Sequence, residues 1–254
     1  MQVVAAQYGE AMQRNDAADF DEVARRYDLA RPSYPPEAVQ WILGDRAGDV
    51  VDVGAGTGLF TRLLAGHART VTAVEPSMQM LDELRAVMPQ VRALRGSGEW
   101  MPLRDASADV VVFAQAWHWV DPVAASLEVA RVLRAGGRLG LVWNLRDERV
   151  DWVRALGDAM RADGDHFRGE TQDPDVREPF GEPERQSVEW TRVCTPDEII
   201  ADVRSRSYVS LLSAPDQDDL LATVRTVLDT HPATAGRDKI DLPYVTASFR
   251  YTRP

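Results

Sequence analysis

The sequence predicts an α/β fold, a doubly wound parallel sheet with helices on both faces. Three observations carry that reading. Val50, Val51, Asp52 and Val53 run straight into Gly54-Ala55-Gly56-Thr57-Gly58, and Leu59, Phe60, Leu63 and Leu64 continue at helical spacing. A second apolar run, Val71–Val74, ends on Glu75, 21 residues beyond Gly54. Strand-like and helix-like segments then alternate as far as Asn144, a pattern that sets parallel strands side by side with helical crossovers.

Taken in order, Phe20, Val23, Ala24 and Tyr27 mark one face of an N-terminal helix. Arg31–Pro36, with three prolines, must be extended or turned. Pro36 then opens a helix whose inner face is Val39, Ile42 and Leu43. Strands are expected at about 50–54, 70–75, 91–95, 108–114 and 138–144, and helices at about 58–66, 77–88 and 123–134. Beyond Asn144, Trp152, Leu156 and Met160 suggest a helix, and a polar stretch follows around 163–183. Gln186–Cys194 can form a sixth strand. Thr195-Pro196-Asp197-Glu198 starts a helix, with Thr195 as N-cap and carboxylates in the first turn. Leu220, Leu221, Val224, Val227 and Leu228 share a further helix face, and a last strand alternates Val245, Ala247, Phe249 and Tyr251.

Composition narrows the function. At 254 residues the chain suits one α/β domain. A formal net charge of −11 argues against a nucleic-acid partner, since phosphate binding needs a basic surface. The single cysteine, Cys194, forbids an intrachain disulfide and is compatible with a reducing cytoplasm. No apolar run approaches the ~18 residues of a membrane span, and no basic-then-apolar leader opens the chain. A cytoplasmic protein without a membrane partner is expected.

The glycine turn carries the chemistry. Glycine permits positive φ and close approach of a ligand to the main chain. An acidic residue at the tip of the second strand grips a ribose diol in nucleoside-binding α/β folds. The spacing here is G-x-G-x-G, with Asp52 two residues ahead, whereas a dinucleotide fingerprint reads G-x-G-x-x-G. The loop alone does not exclude NAD.

Later motifs extend the pattern: Gly96-Ser97-Gly98-Glu99-Trp100-Met101-Pro102, the segment Ser107–Trp119, and Arg131–Asn144 with its Gly136-Gly137 pair. In this order over residues 50–145 they resemble the class I S-adenosylmethionine (SAM) methyltransferases. Phe20-Asp21, Ala24, Tyr27, Arg31-Pro32-Ser33-Tyr34-Pro35, His118-Trp119 and Trp143-Asn144 resemble a bacterial and fungal subgroup, related to the trans-aconitate and ubiquinone-biosynthesis types. That resemblance implies a seven-stranded, mostly parallel Rossmann-like sheet with an antiparallel last strand. It also implies a helical lid from 1–44 and about 195–235, over a core of about 45–145 plus about 185–254.

The resemblance also assigns roles. Gly54, Ala55, Gly56 and Gly58 would pass close to the methionine portion and ribose of SAM, and Glu75 with Pro76 would meet the ribose hydroxyls. Met78, Gly98, Glu99 and Trp100 would frame the adenine, or, for Met78 and Trp100, simply pack in the core. Gln115 would lie near the sulfonium. Asp52 would stabilise the loop or reach the SAM amine. Tyr27 and Arg31 belong to the lid entrance, where Arg31 could pair with the SAM carboxylate or be a solvated turn residue. His118 is the best base, because imidazole titrates close to neutrality; otherwise it shapes the pocket. Trp119, Asn144, Arg204 and Tyr208 are candidates for the substrate. Arg204 and Arg206 could hold an anion, or face solvent in a chain whose 29 basic residues include one lysine, Lys239.

Metal-dependent catechol-type relatives carry acidic ligands where this chain has Gln115 and Asn144. The Asp/Asn-Pro-Pro-aromatic motif of DNA amino-methylating enzymes and the paired glutamates of protein arginine methyltransferases are missing too. The expectation is a metal-free enzyme with SAM as cofactor and a small-molecule acceptor, acting as a monomer or homodimer. The rivals are a SAM-binding protein that does not methylate and a structural partner subunit.

Overall fold

A computed structural model describes residues 31–44, 48–160, 173–210 and 212–254. The chain divides into two compact units. The sheet unit comprises described residues 33–44, 48–145, 173–188 and 246–254, and the helical unit the remainder. Tyr27 and the helix expected around it lie outside the described residues.

Seven strands form one sheet: β1 (Asp49–Val53), β2 (Thr70–Glu75), β3 (Arg92–Arg95), β4 (Ala108–Ala114), β5 (Leu133–Arg146), β6 (Glu184–Cys194) and β7 (Ile240–Thr252). Their order is β3-β2-β1-β4-β5-β7-β6. The first five pair in parallel, and β7 runs antiparallel in the β5-β7-β6 half. This is the Rossmann-like sheet that the sequence resemblance implies.

Strand periodicity explains the two covered faces. On β4, Val111 and Phe113 join Val51, Val53, Leu139 and Leu141 on one face, against Ala125, Val129 and Val132 of α4 (Pro122–Val132). Val110 and Val112 point the other way, into a cluster with Val50 and Val142. That second face is covered by Val39, Ile42 and Leu43 of α1 (Pro36–Leu43) and by Phe60 and Leu64 of α2 (Leu59–Ala65). Helix α3 (Met78–Val87) starts at Ser77, whose hydroxyl accepts from Met80 N.

One boundary differs from the sequence expectation. Helix α4 stops at Val132, and β5 begins at once and runs through Gly136-Gly137 instead of after them. The pairing shifts between Ala108–Leu133 and Val110–Arg138, so the glycine pair sits in a bulge, with Gly136 at φ +73°. The main chain there also pairs with Arg253, which keeps it in the sheet.

In the helical unit, α5 (Asp151–Met160), α6 (Pro196–Arg204) and α8 (Ala214–Thr230) bury Trp152, Leu156, Ile199, Val203, Leu221, Val224 and Leu228, together with Ile240, Leu242 and Tyr244 of β7. Thr195 caps α6 in a reciprocal box with Glu198, the start that its sequence encodes. A single turn, α7 (Ser207–Ser210), follows α6. No described helix is long and apolar enough to cross a membrane.

Candidate cofactor site

The strand order reverses between β1 and β4, and a crevice opens at such a switch point, beyond the carboxyl ends of the strands. The glycine loop leaves β1 here. Gly54 N and Ala55 N both donate to Val74 O of β2, at 2.8 and 3.2 Å, which folds the loop back over the sheet edge. Gly54, Gly56 and Gly58 take φ of +68°, +56° and +94°, a region that costs any other L-residue about 1–2 kcal/mol. Gly54 is also a close approach: a Cβ there would sit 2.6 Å from that of Ala116, just past β4. Around Gly56 the space is open, the nearest atom being Met80 Sδ at 3.9 Å.

Two buried carboxylates brace the loop from below. Glu75 accepts from Gly56 N and Ser77 N, both at 2.9 Å, and so ties the loop to the start of α3. Burial raises its pKa, while the bonds from Ser77 and Gly56 pull the other way. Asp52 is fully buried on β1 and accepts from Thr61 Oγ1 at 2.6 Å. Its second oxygen, Oδ1, has no hydrogen-bond partner among the described residues. Burial pushes the Asp52 carboxyl up to about 7, against the Thr61 bond and with help from neighbouring Glu75.

The remaining sheet-unit candidates lie at the ends of β2 to β5. Pro76 is exposed beside Glu75. Met78 is 41% exposed and Trp100 62% exposed, so neither is a core residue. Trp100 is held outward by a tight turn, in which Ser97 N donates to Trp100 O at 2.8 Å. Gly98 is buried where a Cβ would press within 2.7 Å of Val120 and 3.0 Å of Phe113. The neighbouring Glu99 accepts from Asp121 N at 2.9 Å.

Gln115 caps β4 in a left-handed conformation, φ +56°, and its amide donates to Asn144 O at 2.9 Å. Such strain in a non-glycine residue persists where the surroundings fix it. Asn144 is itself held at both ends: Nδ2 donates to Ser33 O at 3.0 Å, and Oδ1 accepts from Thr246 Oγ1 at 2.6 Å. His118 and Trp119 are exposed in a 3-10 turn, Trp117–Trp119. The Trp143 indole N–H donates to His118 Nδ1 at 3.4 Å, which orients the imidazole.

These features fit a nucleoside cofactor. The loop is open to a ligand at Gly56, an acidic side chain stands at the tip of β2, and two large apolar side chains face outward beside it. Residues 51–141 match the family described as Methyltransferase domain. An uncharacterized methyltransferase of Mycobacterium tuberculosis is 49% identical over 239 residues, covering 94% of this chain and 97% of that one. The chain belongs to the SAM-dependent methyltransferases. An uncharacterized methyltransferase-like protein of Schizosaccharomyces pombe is 32% identical, covering 92% of this chain and 95% of its own length. Among solved structures, a type II methyltransferase from Anaeromyxobacter dehalogenans is similar, with a TM-score of 0.66 and 25% identity over 87% of this chain and 97% of that one. The cofactor of this methyltransferase is SAM.

Three sequence candidates lie in the helical unit instead. Arg31 Nη2 donates to Ser205 O at 3.2 Å, Arg204 is exposed at the end of α6, and Tyr208 is half-buried on α7. Arg206, between them, is the arginine drawn inward, onto buried Asp202 of α6 with Arg146 of β5. Arg146, Asp202 and Tyr244 carry no motif, so sequence spacing did not single them out. The one available signal was the i, i+4 pairing of Asp202 and Arg206, which looks like an ordinary surface pair.

Proposed function

We propose that this methyltransferase moves the methyl group of SAM onto an oxygen, nitrogen or carbon of a small-molecule metabolite, by in-line displacement and without a metal. The observation that carries this reading is the strand edge itself. It combines a glycine loop open at Gly56, Glu75 locked beneath it, and Met78 and Trp100 displayed beside it. Bound SAM supplies a methyl carbon already activated by its sulfonium, so the protein's task is positioning, which can contribute ~7–11 kcal/mol.

In this reading the glycine loop admits the methionine portion and ribose, and Glu75 offers its carboxylate to the ribose hydroxyls while keeping its backbone bonds. Met78 and Trp100 cover the adenine. Gln115, pinned by Asn144 O, fixes the end of β4 where the reacting atoms would meet. His118, oriented by Trp143, takes a proton from the acceptor when its nucleophilic atom bears one. The mixed, partly apolar surroundings of His118 and Trp119 suit a small organic acceptor better than a polyanion, and the net charge of −11 favours the same choice. A reducing cytoplasm suits the lone buried Cys194, whose thiol burial pushes up to about 11.

Calorimetric titration of SAM and S-adenosylhomocysteine into wild type and Glu75→Ala tests the site. Micromolar binding in wild type, weakened ~10-fold or more in the variant, a loss of at least ~1.4 kcal/mol, is expected. Absence of binding in wild type would sink the reading. A metabolite screen for turnover of SAM to S-adenosylhomocysteine then tests the acceptor class, with His118→Gln lowering kcat only for acceptors that must lose a proton.

A further inference from the structure

In the helical unit, Asp202 Oδ2 accepts from Arg146 Nη2 at 2.6 Å and from Arg206 Nη2 at 3.3 Å. Asp202 is buried and the Arg146 side chain is 9% exposed, while 27% of the Arg206 side chain still reaches solvent. Two guanidiniums thus share one carboxylate, so among the described residues this cluster carries more positive than negative charge. Arginine stays protonated at any working pH, so the excess cannot be shed as a proton.

Hydrogen bonding within the cluster falls short in the same way. Arg146 Nε, Arg206 Nε, Asp202 Oδ1 and the Tyr244 hydroxyl are all buried without a hydrogen-bond partner among the described residues. A buried polar group left unsatisfied keeps its full desolvation penalty. These groups belong to one neighbourhood: Arg146 Nη1 lies 2.6 Å from Met160 Sδ, and Met160, Val203 beside Asp202, and Tyr244 share one buried cluster, with Tyr244 close enough to feel the charges of Asp202, Arg146 and Arg206. The electrostatics follow the geometry. Burial lowers the Arg206 pKa and Arg146 lowers it further, with Asp202 only partly opposing them. For Asp202, burial works upward, yet Arg206, Arg146 and Arg31 outweigh it and hold the carboxyl well below the usual range.

We propose that Arg146, Arg206 and Tyr244 form a binding site in the helical unit for a small oxyanion, a carboxylate or phosphate group. An oxyanion supplies the missing negative charge, and its acceptor lone pairs suit two guanidinium edges and a phenol O–H. Water could satisfy the N–H groups but not the charge. Arg206, the member still open to solvent, is the point of entry, and Asp202 holds both arginines in place beneath it. The site stands on the helical unit alone and does not depend on the methyl-transfer reading.

The test is calorimetric titration of citrate, and separately of inorganic phosphate, into the full chain at low ionic strength. Wild type should bind one of the two at one site with a dissociation constant below about 1 mM. Tighter citrate would assign a carboxylate ligand and tighter phosphate a phosphate ligand. Arg206→Gln should weaken binding at least ~10-fold, and Tyr244→Phe by a smaller factor, while SAM binding is retained in both. If Arg206→Gln does not fold, Tyr244→Phe, which deletes one hydroxyl, carries the comparison alone. Wild type that binds neither anion, or an Arg206→Gln protein that folds and binds them as tightly, overturns the proposal.

Discussion

Beneath the glycine loop, Asp52 and Glu75 lie buried with only hydroxyl and backbone N–H donors as partners among the described residues. In the helical unit, Asp202 lies equally buried beneath two guanidiniums. The same side-chain type therefore meets the same desolvation with opposite results. Asp52 is driven toward neutrality, whereas Asp202 is pinned as an anion. Asp52 can stay uncharged, and the Thr61 hydroxyl suffices as its donor. The helical unit cannot, because its arginines keep their charge whatever Asp202 does.

The largest effect should come from breaking the second arrangement. Asp202→Ala leaves Arg146 and Arg206 buried without their anion, and should destabilise the protein by about 3–5 kcal/mol. A urea midpoint close to wild type would mean that the arginines escape to solvent and that the unit is not built around them. Next, the glycine loop separates backbone strain from crowding. Gly54→Ala meets both a positive φ and Ala116 at 2.6 Å, and should cost roughly 3 kcal/mol together with most of the SAM affinity. Gly56→Ala meets the φ penalty alone, about 1–2 kcal/mol, because its surroundings are open. Equal costs in urea denaturation would refute the crowding at Ala116.

The two regions also differ in how far the sequence exposes them. The glycine loop, Glu75 and the strand ends are local: a run of apolar residues, a turn and one acid are contiguous, and parallel pairing brings their ends together. The exposure of Met78 and Trp100, and the tethering of Asn144 between Ser33 and Thr246, depend on partners up to 111 residues away and are invisible to spacing. The Arg146–Asp202–Arg206 cluster is less legible still. Its members come from a strand end, a helix and the residue between two helices, and an arginine-rich sequence offers many equivalent candidates. Of the two arginines that the sequence offers as an anion pair, Arg204 is exposed, because the chain turns at Ser205 and directs Arg206 inward.

The effect that is smallest at any one step, because it accrues gradually with pH, tests the loop floor. In the folded protein the Asp52 carboxyl is raised from 3.8 to about 7, so between those values the folded state holds a proton that the unfolded state has lost. The stability contribution is complete below the unfolded pKa and disappears as pH rises through about 7. It runs against that of Asp202, whose lowered pKa adds stability that is lost toward acid. Asp52→Asn isolates the first contribution: the amide oxygen can still accept from Thr61 Oγ1, and no proton titrates. Relative to wild type, Asp52→Asn should gain stability steadily from pH 4 to pH 7, by at most about 1.4 kcal/mol per pH unit. Parallel stability curves for the two proteins across that window would show that Asp52 is ionised in the folded state. The unpartnered Oδ1 would then have to be stabilised by a cation or donor bound from outside the protein, and the contrast with Asp202 would collapse.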